Sequence, residues 1–186
     1  GGHYFVRGTQ GWVATTDQRN WRPVGRIVQE TKHAPLSYST GVGGSKDEVN
    51  AVLMEFLDAG VRQILALRCA QLQGVGARFT PHPDGYRNAA DLVRGVREVA
   101  KFQVSVTAYP EKHPESVSIE EDLAFLADKA DHGATQAITQ FFFYNAAFLR
   151  LRARIAARGI KIKLIPGILP ITTSANRGCP NNVVRN

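Results

Sequence analysis

Residues Val104 to Ser116 read Val-Ser-Val-Thr-Ala-Tyr-Pro-Glu-Lys-His-Pro-Glu-Ser. The β-branched run Val104, Val106 and Thr107 predicts a strand. Pro110 stops it, because proline has no N–H to give to a sheet ladder. Around and beyond that stop lie a phenol (Tyr109), an imidazole (His113) and two carboxylates (Glu111, Glu115). A buried strand ending in clustered polar side chains is where an α/β protein places its chemistry. The plainer alternative is an ordinary polar loop, and these residues alone do not separate the two.

The chain has 186 residues, 44% of them hydrophobic, enough for one domain with a real core. Charged residues make up 21%, which argues against overall disorder. The net charge of +7 and a pI of about 9.7 favour anionic partners such as phosphate-bearing cofactors or acidic small molecules. The basic residues are scattered and form no zinc or arginine-rich motif, so no nucleic-acid partner is expected. Cys69 and Cys179 are far apart and fit no CxxC pattern, so no metal site is expected and a reduced, cytoplasmic protein is the simplest expectation. No apolar run approaches the ~20 residues of a membrane span, and no signal peptide is visible. The first residue is Gly1 rather than Met, which fits a trimmed start.

Outward from the opening stretch, the pattern alternates. Tyr4-Phe5-Val6 is a short strand candidate. A helix is expected from about Asp17 to Glu30, weakened by Pro23 and Gly25. His33 to Thr40 reads as a strand, followed by Gly41, Gly43 and Gly44, which lack the Gly-Lys-Ser/Thr ending of a P-loop. Ser45-Lys46-Asp47-Glu48 is a capping box, and Val49, Val52, Leu53, Phe56 and Leu57 follow helical spacing up to Gly60. Val61 to Leu67 is a strand with Arg68 at its end, and a long loop runs from Gln71 to Tyr86. Ala89 to Ala100 is a helix with Leu92, Val93, Val96 and Val99 on one side. After the opening strand, Ser118-Ile119-Glu120-Glu121 is a second capping box that starts a helix to Ala130, with Gly133 near its end. Gln136 to Phe143 reads as a buried strand interrupted by Gln140, whose amide needs partners. Asn145 is expected to cap the next helix, which Gly159 ends. Lys161 to Ile165 is the last clear strand, and beyond Ile171 the chain is polar and patternless.

Helices that follow strands imply a parallel sheet of about six strands. An eight-stranded (β/α)8 barrel usually takes roughly 200–250 residues or more. The expectation is therefore an incomplete TIM-type barrel or an open sheet, with residues 1–170 forming the barrel domain and 171–186 an irregular tail.

Three ordered motifs carry a family resemblance. Ser105 to Glu115, then Ala137-Ile138-Thr139-Gln140-Phe141-Phe142-Phe143, then Ile165-Pro166-Gly167-Ile168-Leu169-Pro170 closely resemble the bacterial methylenetetrahydrofolate reductases. Gly44-Ser45-Lys46-Asp47-Glu48-Val49 and Ile64-Leu65-Ala66-Leu67-Arg68 match as well, so the likeness covers about Gly43 to Ile171. The resemblance implies a (β/α)8 barrel, non-covalent FAD, and hydride transfer from NADH or NADPH through the flavin to 5,10-methylenetetrahydrofolate, giving 5-methyltetrahydrofolate. In such proteins the chain's part is to position and tune the cofactor. It implies that Tyr109 and His113 lie on the flavin, that Asp122 and Lys129 bind its ribityl–diphosphate and adenosine portions, and that Arg68 holds the phosphate side. Thr9 aligns with a threonine near the flavin ring, Ala89 with a small residue against the cofactor, and Gln140 with a glutamine that contacts folate and nicotinamide. Members of the family commonly associate, so a homo-oligomer belongs to the expectation.

The departures from the family pattern are specific. After Arg68 the family reads Gly-Asp, whereas this chain has Cys69-Ala70, and Ala70 cannot supply the aspartate charge that tunes the cofactor. Tyr38 stands for a histidine, Asn88 for a tyrosine, and Asp128 for a basic cofactor contact; the loop from Gln71 to Tyr86 also differs. The Phe-Glu-Phe-Phe-Pro motif, whose glutamate is the general acid in the family, is absent from this sequence, as is the eighth strand. No catalytic residue is therefore assigned within the chain. Two functions remain in view: a flavin- and folate-dependent reductase or part of one, and a catalytically inactive barrel remnant that retains at most cofactor binding. A basic α/β domain that binds nucleic acid is a weaker third.

Overall fold

A computed structural model of the chain describes residues 30, 36–40, 44–67, 82–114 and 116–168. Of the expected helix from Asp17 to Glu30, only Glu30 is among them, and it is helical. The strand candidate Tyr4–Val6 and the tail 171–186 lie outside the described residues.

The first strand, β1, spans Leu36–Thr40. Helix α1, Lys46–Asp58, starts at the predicted capping box: the Glu48 N–H donates to Ser45 Oγ at 3.3 Å, and the Ser45 N–H donates to Glu48 Oε2 at 2.8 Å. These two bonds satisfy N–H groups that the first helical turn cannot pair internally. Val49, Leu53 and Phe56 form its buried stripe. Strand β2 is Gln63–Leu67 and helix α2 is Ala89–Val99. Asn88 caps α2, its Oδ1 accepting from the Asp91 N–H at 2.8 Å. Strand β3 is Gln103–Ala108 and helix α3 is Ile119–Asp131. The second expected capping box is only half formed: Ser118 Oγ accepts from the Glu121 N–H at 3.2 Å, but the Glu121 carboxylate reaches one residue further back, to the Val117 N–H at 2.7 Å. Strand β4 is Ala134–Thr139, helix α4 is Asn145–Ala157 and strand β5 is Lys163–Ile165. Gly60, Gly133 and Gly159 follow α1, α3 and α4 with positive φ, the helix stops their sequence positions predicted.

All four strand pairs are parallel, in the order β1-β2-β3-β4-β5. Strand alternation divides the sheet's side chains. Ile64, Ala66, Val104, Val106, Ala108 and Ala137 pack with the buried faces of α1, α2, α3 and α4 in one core. On the opposite face Leu36, Leu65 and Ile138 form a small second cluster. Beside it Ser105 Oγ donates to Gln136 Oε1 at 3.4 Å, both residues buried. Sequential strand order with the four described helices packed on one face of the sheet is consistent with part of a (β/α) barrel. The α/β class and parallel sheet match expectation, with five strands among the described residues against about six predicted.

Strands β2 and β5 start two residues later than expected, at Gln63 and Lys163, and two further differences have a clear physical reason. The strand expected over Gln136–Phe143 ends at Thr139. Its partner β3 ends at Ala108, ahead of Pro110, and the Gln140 N–H makes one last bond to the Ala108 carbonyl at 2.8 Å. With no partner strand beyond, Phe141 to Phe143 leave the sheet, and Phe142 stacks on Phe148 of α4 with ring centroids 5.4 Å apart. Gln140 thus lies just past the carboxyl end of β4 and does not interrupt a strand. Asn145 does not cap α4: Tyr144 occupies the cap position without a side-chain bond. Asn145 is already inside the first turn, one residue too late for its amide to reach back over the free N–H groups.

Candidate functional site at the carboxyl end of the third strand

Proline at 110 ends β3 and turns the chain across the carboxyl edge of the sheet, as the sequence predicts. Tyr109 and His113 flank this turn and meet edge to face, with centroids 4.6 Å apart and planes at 88°. Lys112, between them, is the one non-glycine among the described residues with positive φ, at 129°. Such a backbone costs about 1–3 kcal/mol and persists only where the surroundings hold it. Here the Lys112 ammonium donates to the His113 carbonyl at 3.1 Å and to the Ser116 carbonyl. From the first turn of α3, Asp122 accepts the His113 N–H on Oδ2 at 2.7 Å and the Ser116 hydroxyl on Oδ1.

Tyr109, His113, Ser116 and Asp122 line a cavity of about 380 Å³ between the start of α2, the end of β3 and α3. Its walls include Ala89 and Ala90 from α2, Thr107 to Tyr109, His113, Ser116, and Asp122, Phe125, Leu126 and Lys129 from α3. The α3 contributors are spaced so that they share one helix face. Phe125 is half exposed. Lys129 Nζ donates to the Thr107 carbonyl at 3.2 Å, which draws its charge toward the strand end. Arg87 adds a second cation at the rim, although Asp91 holds its guanidinium at 3.4 Å. Asp128 also faces the cavity, and its carboxylate lies 3.1 Å from the His132 ring.

Of the residues singled out in the sequence, Ala89, Tyr109, His113, Asp122 and Lys129 come together in this cavity. Gln140 stands apart from it, one strand over, at the end of β4. Thr9, Arg68, Cys69 and Ala70 lie outside the described residues. Ser116, Lys112 and Arg87 also belong to this region and carry no functional motif in the sequence. For Lys112 and Ser116 no local pattern marks the role, which lies in bonds within the turn and from the turn to Asp122 of α3. Asn88 did carry a signal, since an asparagine just before an apolar-periodic run is a helix cap.

The donor set suits an elongated ligand with aromatic and anionic parts. An aromatic edge (Tyr109, His113), small aliphatic walls (Ala89, Ala90) and the cations Lys129 and Arg87 face the same space. No group of three metal-ligating side chains occurs among the described residues. No described helix is long and apolar enough to cross a membrane.

The fold has solved counterparts. The chain superposes on 2,3-dimethylmalate lyase, of the PEP mutase/isocitrate lyase superfamily, with a TM-score of 0.58 at 11% identity, covering 89% of this chain and 62% of that one. Oxaloacetate acetylhydrolase gives 0.54 at 11% identity, covering 85% and 61%. At such identities the likeness defines only the fold class, a parallel α/β fold. The family is defined by sequence. The methylenetetrahydrofolate reductase family model matches residues 1–178, and the chain belongs to that oxidoreductase family. It is 39% identical to the 5,10-methylenetetrahydrofolate reductase of Salmonella typhimurium, and 38% identical to those of Escherichia coli and Pectobacterium carotovorum. Each match covers 90% of this chain and 54% of the relative, so the chain spans about half the length of these relatives.

Proposed function

We propose that this chain forms the FAD-binding part of a reductase that converts 5,10-methylenetetrahydrofolate to 5-methyltetrahydrofolate with NADH or NADPH. The observation that carries this is the convergence, around one cavity, of five side chains that the family resemblance assigns to the cofactor. Bound FAD would supply the hydride relay between nicotinamide and folate. The residues of the chain hold and orient it. Tyr109 and His113 offer a rigid aromatic edge against the ring system. Ala89 leaves room for close approach. Asp122 keeps lone pairs for a ribityl hydroxyl, and Lys129 presents a cation to the diphosphate. Gln140, at the neighbouring strand end, is positioned to offer an amide to the folate or nicotinamide.

Purified protein titrated with FAD should show the bound-flavin absorbance and quench flavin fluorescence, and a loaded sample should be assayed for NADH oxidation with a quinone acceptor. Failure to bind FAD would overturn the proposal. Binding without NADH oxidation would favour the remnant function, for which the specific observation is Ala70 in place of the family's aspartate. Restoring Ala70→Asp together with Cys69→Gly separates a lost charge from a lost fold.

A further inference from the structure

We infer that Lys112, Ser116 and Asp122 form a clasp that sets His113 against Tyr109 before any ligand arrives, and that Lys112 and Ser116 are positioning residues of the cavity. The inference rests on the flavin function proposed above only for the identity of the ligand.

Lys112 holds a left-handed backbone conformation that a lysine rarely adopts. That conformation lets its own ammonium reach back to the His113 and Ser116 carbonyls. The Ser116 N–H closes a further bond to the His113 carbonyl at 3.0 Å. From the other side, Asp122 takes the His113 N–H and the Ser116 hydroxyl. A cation thus gathers the carbonyls of the turn and an anion gathers its donors. Charge-assisted bonds of this kind are shorter and stronger than neutral ones. The two anchors fix the His113 backbone on both its N–H and its carbonyl. The ring carried on this backbone stands edge to face with Tyr109 as part of the cavity wall. Ser116 is 9% exposed, so bulk water does not replace its bonds freely. Holding a wall in place beforehand reduces the ordering cost of binding.

The test uses the full chain, isotopically labelled, with Ser116→Ala and Lys112→Met as disrupting variants and Ser116→Thr and Lys112→Arg as conservative ones. The first readout needs no ligand: the His113 ring proton shifts, with Tyr109→Leu as the control for the ring current, and hydrogen exchange at the His113 N–H. Both disrupting variants should move the ring shifts toward those of Tyr109→Leu and speed His113 exchange about tenfold, while thermal unfolding stays cooperative. The conservative variants should restore both. Unchanged His113 shifts and exchange in both disrupting variants would overturn the clasp. The second readout is FAD affinity, expected to fall about five- to tenfold in the disrupting variants. Wild-type protein that binds no FAD would remove the flavin function while the first readout still decides the clasp. Equal FAD affinity despite a released His113 ring would overturn its positioning role.

Discussion

Gly95 and Tyr86 share one site in the core: a Cβ on Gly95 would stand 2.1 Å from the Tyr86 hydroxyl oxygen and 2.3 Å from Cε1 and Cζ. The ring cannot retreat easily. It is 5% exposed, and its hydroxyl donates to Asn50 Oδ1 at 2.7 Å. Burial foremost pushes the phenol above its ordinary pKa, so the hydroxyl stays protonated as that donor. Replacing a helical glycine by alanine usually stabilises by about 1 kcal/mol. Here Gly95→Ala should instead destabilise by about 1–3 kcal/mol through overpacking. Urea unfolding checks this, and combining it with Tyr86→Leu should recover part of the loss. A Gly95→Ala protein as stable as the parent would mean that the tyrosine moves aside without cost.

Acid should weaken the fold partly through Asp91. Its burial opposes ionisation, yet the Arg87 N–H at 3.1 Å and the Arg87 guanidinium, with Lys46 nearby, hold its carboxyl below the ordinary range. Arg94 adds a bond at 2.6 Å. A depressed folded-state pKa contributes stability that is complete above the unfolded value of about 3.9 and is lost as pH falls through the folded value. Asp91→Asn should cost about 1–2 kcal/mol at neutral pH, a modest figure because the arginine partners are 75% and 48% exposed. The variant should also flatten the acid limb of a stability–pH curve. An acid limb identical to the parent's would refute the assignment.

Lys129 offers a direct electrostatic test of the cavity. Lys129→Met keeps the aliphatic stem but removes the charge and the bond to the Thr107 carbonyl. If a diphosphate lies against it, FAD affinity should fall about tenfold, and the loss should shrink at high salt. Unfolding should change by about 1 kcal/mol or less. Calorimetric titration at two ionic strengths measures the first effect. Equal affinity of variant and parent at low salt would place the diphosphate elsewhere.

Gly167 ties the chain after β5 to β4. Its N–H donates to Thr139 Oγ1 at 2.9 Å, and an added Cβ would stand 2.1 Å from the Thr139 carbonyl oxygen. Gly167→Ala should push this segment off the sheet and cost about 1–3 kcal/mol. Thr139→Val, which removes only the acceptor, should cost about 0.5–1.5 kcal/mol. Hydrogen exchange in β5 reads both, with the larger increase expected for Gly167→Ala. Equal protection in the two variants would show that the close approach is not restrictive.

Local chemistry announced much of this molecule. The Ser45 and Ser118 caps, the apolar stripes of α1, α2 and α3, and the glycine stops all operate within one or two turns of chain. The stop at Pro110 is equally local, and with it came the Tyr109–His113 end of the candidate site. The end of β4 was not legible in the same way. Phe141 to Phe143 look like more strand, but a strand exists only where a neighbour offers its ladder, and β3 offers nothing beyond Ala108. Asn145 misled for a related reason: a cap depends on where the backbone turns helical, and the chain turned one residue earlier.

By itself, then, the amino-acid sequence determined the alternation of strands and helices, the parallel class of the sheet, and the family. Each follows from local periodicity, caps and ordered motifs. Only the tertiary structure decided that Ala89, Tyr109, His113, Asp122 and Lys129 share one cavity, and that Lys112, Ser116 and Asp122 brace the turn beside it. The physical reason is distance along the chain. These side chains sit on two helices and a strand end, and they meet only because burying the apolar face of α3 against β3 and β4 carries its polar first turn over the loop that follows β3.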